Sequence, residues 1–167
     1  MSDVTQWVNR LGLAPHPEGG WYRRTYESPE HLPLTALPDR FRGARPIATA
    51  IYYLLESGGF SALHRIKSDE IWNFYVGSPL RLTVLSSDGR IEERMLGDKS
   101  AAGVLFQTVV PAEHWFGAEV VETDSFSLVG CVVAPGFDFE DFELADREKL
   151  AAVYPQHRAV IERLTRV

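Results

Sequence analysis

"GGFSALHRIKSDEIWNFYVG", Gly58–Gly77, sets one histidine, His64, and one glutamate, Glu70, in a run of strand-forming residues with glycine at both ends. Successive strand residues face opposite sides. His64 therefore shares a face with Ala62 and Ile66, and Glu70 with Trp72 and Phe74. If "KSD" joins the two segments as a hairpin, His64 and Glu70 meet across it on the concave side of a sheet. Burial disfavours the charged form of each group, while proximity favours a charged pair. A histidine held this way can give or take a proton near neutral pH. The same two residues could supply a metal with one nitrogen and one oxygen, or simply satisfy each other inside a barrel. Spacing alone leaves all three open.

Outward from this stretch the pattern stays β from residue 21 to about 134. "GWYRRTYES", "IATAIYYLL", "FSALHRI", "EIWNFYV", "LRLTVLSS", "GVLFQTVV", "WFGAEVV" and "SFSLVGCVV" read as strands, and "SSDGR" as a hairpin turn, since Asp-Gly accommodates positive φ. Short strands at this spacing predict a sandwich or barrel. "PLTALPDRFRGARP" reads as an exposed loop. Ahead of the strands, Val4, Trp7, Val8 and Leu11 recur at helical spacing, and "APHPEGG" breaks the chain. After them, "ADREKLAAVYPQHRAVIERLTRV" predicts two short helices divided at Pro155, docking through Leu150, Val153, Val160, Ile161 and Leu164.

The 167 residues are expected to form one domain, 1–167. A formal charge of −6 argues against a nucleic-acid partner, which needs a basic face. Cys131 is the only cysteine, so no intrachain disulfide can form. "MSDVTQWVNRLGL" lacks the basic and apolar regions of a signal peptide, and no apolar run approaches the ~20 residues that span a bilayer. No membrane partner and a cytoplasmic location are the expectation.

At this point the residues resemble a known family. Gly58, His64, Glu70 and Gly77 follow the spacing of the first cupin motif, Gly, His-x-His, Glu, Gly, with Ile66 at the second histidine. "VVPAEHWFGA" is similar to the second motif, Pro-x-Gly-x-x-His, with Pro111 retained, Glu113 at the glycine and Phe116 at the histidine. "HPEGGWYRRTYES", "IYYLL", "HRIKSDEIWNFYVGSPL" and "SLVGCVVAPGFDFEDFELA" extend the resemblance over residues 5 to 165, and identify the single-domain Cupin_5 group. It implies an all-β cupin double-stranded β-helix, or jelly roll, with a short N-terminal helix and C-terminal helices. By similarity to the sugar-nucleotide 3,5-epimerases it also implies a homodimer. It supplies no activity, because one fold hosts many.

Metal-binding cupins use three histidines and a glutamate. Carried over position by position, this chain keeps His64 and Glu70 and has hydrocarbon at Ile66 and Phe116. Two protein ligands make a poor zinc or iron site, so no metal or other cofactor is expected. The alternative is a three-ligand site of His64, Glu70 and His114.

"SALHRI" is similar to the stretch that carries the catalytic base of the 3,5-epimerases. That likeness implies an isomerase or epimerase acting without a metal on a sugar-like or keto-acid substrate, with His64 as base and Glu70 tuning it. A non-catalytic small-molecule binding protein is a second reading, and a metal-dependent cupin enzyme using His64, Glu70 and His114 a third. Trp72, Phe74, Phe116, Tyr53 and His114 are the candidate ligand-binding residues. Tyr52 and Tyr53 lie on opposite faces, so one of them lines the cavity, and Tyr75 should face outward. Of Arg23 and Arg24 one could reach an anionic ligand. Glu18 is assigned to loop geometry. Asp138, Glu140, Asp141 and Glu143 read as a solvated acidic face.

Overall fold

The computed structural model describes residues 3–98 and 102–166. A helix, α1 (Asp3–Leu11), leads into strands β1 (Ala14–Pro15), β2 (Trp21–Glu27), β3 (His31–Leu32), β4 (Arg45–Pro46), β5 (Thr49–Glu56), β6 (Phe60–Arg65) and β7 (Asp69–Gly77). There follow β8 (Leu80–Leu85), β9 (Ile91–Leu96), β10 (Val104–Leu105), β11 (Gln107–Val110), β12 (Trp115–Val120), β13 (Phe126–Ala134) and β14 (Glu143–Leu144). The helices α2 (Arg147–Val153) and α3 (Arg158–Arg163) come last, parted at Pro155 as the sequence predicts.

Two six-stranded sheets result, ordered β1-β2-β5-β13-β7-β11 and β10-β9-β8-β12-β6-β14. Neighbours run antiparallel apart from β10 and β9. The expected jelly-roll sandwich is what forms. Its inner core holds Tyr53, Ile66, Trp72, Phe74, Leu82, Phe116 and Val129. Burying side chains of this size contributes about 1.5–3 kcal/mol each.

Both sheets are also covered outside, which is why β5 reads as a continuous apolar run rather than an alternation. Ile51, Tyr53 and Leu55 face the inner core, while Leu54 and Tyr52 meet Val4, Trp7, Val8 and Leu11 of α1. On the second sheet Leu63 and Leu85 pack under Leu150, Ala151, Ile161 and Leu164. Val153 does not dock as expected. It ends a seven-residue helix pointing outward and is 65% exposed.

Three further expectations change. "KSD" is not a hairpin turn: β6 pairs with β12 and β14, whereas β7 pairs with β13 and β11, so the chain crosses between sheets. The turn between β11 and β12 braces this crossing. Glu113 N–H donates to the Ile66 carbonyl at 2.8 Å, and Ala112 N–H to Asp69 Oδ1 at 2.8 Å. "IEERML" is an unpredicted strand, β9, whose three central charges hide its pairing with β8. The "PLTALPDRFRGARP" segment is not simply exposed either, because Phe41 and Arg45 are buried.

Candidate functional site

A cavity of about 510 Å³, its open mouth included, lies between the sheets and is walled by both. Tyr53 of β5, Trp72 and Glu70 of β7, and Cys131 of β13 come from the first sheet; His64 comes from β6 of the second. His16 and Glu18 enter from the loop before β2, and Phe137 and Phe142 from the segment after β13. Strand parity predicts the inward face of β7 correctly: Glu70, Trp72 and Phe74 are buried, and Tyr75 is half exposed. It also predicts the division of Tyr52 and Tyr53, since Tyr53 lines the cavity while Tyr52 meets Tyr75 edge-on outside.

His64 is held at both ring nitrogens. Nδ1 lies 2.7 Å from the Ala62 carbonyl oxygen, and Nε2 lies 3.1 Å from Glu18 Oε2. A carbonyl only accepts, so Nδ1 carries hydrogen. Nε2 and Oε2 face each other across this contact, and the two residues form a dyad across which a proton can pass. Ser61 donates its hydroxyl hydrogen to the other Glu18 oxygen at 2.9 Å. His16 flanks the dyad. Burial pushes its pKa down, against the pull of Glu18. Its Nδ1 accepts the Glu18 N–H at 3.3 Å, as a neutral ring can.

The partner of His64 is therefore Glu18, not Glu70. The sheet crossing explains the correction, because it separates His64 and Glu70 onto opposite walls. Glu70 is enclosed by hydrocarbon, and burial, reinforced by the negative charge of Glu18, raises its pKa to about 8. The Cys131 thiol and the Trp72 indole lie close enough to pull it partly back. At pH 7 Glu70 is a neutral carboxylic acid facing the dyad. Tyr53 is less available. Burial raises its pKa well above the ordinary value, and its hydroxyl donates to the Gly19 carbonyl at 2.8 Å.

The loop carrying Glu18 depends on two glycines. Gly19 and Gly20 have φ of +114° and +70°, and a Cβ on either would lie 2.4 Å from the Phe60 oxygen or 2.6 Å from the Leu54 oxygen. The Glu18 carbonyl accepts from Ala62 N–H at 2.8 Å and from the Arg166 guanidinium at 2.9 Å, and Arg166 also reaches the Pro17 carbonyl at 3.2 Å. Sequence reasoning missed His16 and Glu18 as site residues. The signal was present: a histidine and a glutamate beside a Gly-Gly turn that delivers the chain into a strand.

The acidic run after β13 is solvated at Asp138, Glu140 and Glu143 but not at Asp141. Asp141 is buried and takes both its oxygens to Arg45, at 2.7 and 2.8 Å, with Lys67 Nζ at 3.2 Å. This clamp seats Phe137 and Phe142 on the cavity, with Phe139 stacked on His16. Other expected ligand contacts move away from the cavity. Phe116 packs its ring 4.1 Å from that of His64, behind the wall, and Phe74 is likewise core. His114 lines a separate surface recess with Pro111, Arg90 and Arg94. Of the two arginines, Arg24 reaches the cavity rim, bonded to Glu27 and to the Phe137 carbonyl; Arg23 lies over the Tyr52 ring.

This geometry has known relatives. The family model described as Cupin superfamily (DUF985), Cupin_5, matches residues 5–145. The chain belongs to the Cupin_5 family. A solved protein of Shewanella oneidensis is 39% identical to this cupin with 99% of each chain covered, at a TM-score of 0.87. A hypothetical protein from Leishmania major is 33% identical with 100% of each covered, at 0.90. Oxalate decarboxylase from Bacillus subtilis, 16% identical, is similar in fold alone: its TM-score is 0.55, over 90% of this chain and 36% of that one.

In this cupin the superfamily's metal positions do not suit an ion. Ile66 and Phe116 bring buried hydrocarbon where histidines would coordinate, and His64 spends Nε2 on Glu18. His114 is in another recess. Among the described residues, no three His, Cys, Asp or Glu side chains converge to hold an ion. The second motif does survive in its backbone. Glu113, at the glycine position, has φ of +64°, a conformation uncommon outside glycine. Also among the described residues, no helix is long and apolar enough to cross a membrane.

Proposed function

We propose that this cupin is an isomerase or epimerase that moves a proton on a small carbonyl compound, without a metal, through the Glu18–His64 dyad. The observation that carries this reading is the juxtaposition in one apolar cavity of a His–Glu pair 3.1 Å apart with a second carboxyl that burial holds toward its neutral form. Carboxyls whose environments push their protonation apart divide the roles of base and acid. The dyad receives the proton from the carbon next to the carbonyl. His64 steadies the charge on Glu18, Ser61 and the Glu18 backbone contacts fix its position, and Glu70 offers a hydrogen-bonding proton from the opposite wall. Closure of the cavity by Phe137 and Phe142 limits water around the exchanging proton.

The test is incorporation of solvent deuterium next to the carbonyl across a panel of ketoses, aldoses and keto acids, read by mass spectrometry. Exchange should fall at least about a hundredfold in His64→Ala and in Glu18→Gln, the scale of a lost acid–base group. Undiminished exchange in both variants overturns the assignment. The aromatic walls also support a simpler reading, a non-catalytic binding protein. In that case a stabilising ligand is recovered chemically unchanged.

A further inference from the structure

Trp72 is among the largest fully buried side chains, yet its Nε1–H has no partner at hydrogen-bonding geometry. Buried N–H groups are normally satisfied, and an exception calls for an explanation. By contrast, the Trp21 indole donates to Glu56 Oε1 at 2.9 Å. Trp72 lines the cavity, and its indole lies near the Glu70 carboxyl. The indole N–H and the Glu70 carboxyl thus stand side by side on the first-sheet wall, both lining the cavity. The opposite wall carries the dyad.

We infer that Trp72 Nε1–H and the Glu70 carboxyl form a two-donor seat for a single carbonyl oxygen, and that the substrate is a neutral α-hydroxy aldehyde or ketone. This rests on the dyad acting as base. When the dyad takes the α-proton, the C–H electron pair forms a C=C bond and the carbonyl π pair moves onto oxygen. The seat holds that oxygen as negative charge develops, the situation in which preorganised donors are most effective. The neighbouring hydroxyl then passes its proton to that oxygen, the C=C pair takes the abstracted proton at the former carbonyl carbon, and the new C=O forms on the neighbouring oxygen, which completes an isomerisation with no oxidant or reductant.

The charge around the cavity selects neutral compounds over keto acids. His64 is paired with Glu18, His16 accepts the Glu18 N–H, and the rim guanidinium of Arg24 is bonded to the Glu27 carboxylate and to the Phe137 carbonyl. Each of these groups among the described lining residues already has a partner, so none is dedicated to a substrate carboxylate.

The test is ¹H–¹⁵N NMR of the four tryptophan indoles, titrated with dihydroxyacetone, glyceraldehyde, fructose and, as the anionic control, pyruvate. Trp72 is assigned by its loss in Trp72→Phe or, should that variant not fold, by eliminating Trp7, Trp21 and Trp115 in turn. A downfield shift of the Trp72 N–H with one of the neutral compounds and none with pyruvate is expected. Trp72→Phe should weaken that binding about tenfold, the effect of one lost hydrogen bond. A preference for pyruvate, binding that leaves the indole unmoved, or no binding by any neutral compound overturns the inference. The deuterium assay separates the two proposals. Exchange with an unmoved indole leaves the dyad chemistry standing and removes the seat, while a shifted indole without exchange does the reverse.

Discussion

Nε2 of His64 and Oε2 of Glu18 stand 3.1 Å apart, joining a strand of one sheet to the loop that enters the other. Because Ser61 and the backbone complete the arrangement, removing Glu18 has an energetic cost as well as a chemical one. Glu18→Leu leaves the Ser61 hydroxyl and a histidine nitrogen buried without partners. Urea unfolding should show a loss of about 1–3 kcal/mol. Glu18→Gln, which keeps an acceptor for Ser61, should lose less.

Glu70 makes stability depend on pH with a defined sign. In the unfolded chain its pKa is near the ordinary value of 4.5, while in the folded protein it is about 8. Between those values the folded state retains a proton that the unfolded state has released, so rising pH destabilises the fold. The contribution is fully present below about 4.5, falls away up to about 8 and is level beyond. Subtracting the stability of Glu70→Gln from that of the native protein across this window should isolate the slope. A flat difference would contradict a buried, neutral Glu70.

Asp141 has the opposite sign. Burial alone would raise its carboxyl, but hydrogen bonds from Arg45 and Lys67 hold it below the usual carboxylate range. Its contribution is present above the unfolded pKa and disappears as acid takes the pH down through the folded one. Arg45→Met leaves the carboxylate buried with Lys67 alone and should cost about 3–5 kcal/mol by denaturant titration. It should also release Phe137 and Phe142 from the cavity, weakening ligand binding along with stability.

Gly20→Ala tests the entry loop. The new methyl group would meet the Leu54 carbonyl at 2.6 Å and the Tyr53 hydroxyl at 2.9 Å, on a backbone with φ of +70°. A loss of about 1–3 kcal/mol is expected. Displacement of the Tyr53 hydroxyl should be visible as a change in tyrosine absorbance at alkaline pH.

Much of this was legible in the sequence because alternation is local. The inward face of β7, the opposite facing of Tyr52 and Tyr53, the outward Tyr75 and the helices at either end follow from period and breakers alone. The dyad was not legible. Nothing local tells that "HPEGG" folds back onto β6, since Glu18 and His64 meet only after the sheets have stacked. The acidic run misled for a similar reason: the buried arginine that neutralises Asp141 lies ninety-six residues away along the chain, in a segment whose prolines and charges read as loop. β9 escaped because a strand with one apolar residue at its start and charges at its centre has no strong period of its own.

The guanidinium of Arg166 grips the carbonyls on which the Glu18 turn is hung. A residue 148 positions further along thereby becomes a strut for the Glu18 loop. Whatever disturbs that arginine consequently reaches the cavity through the turn it holds, although nothing in the local sequence connects the two.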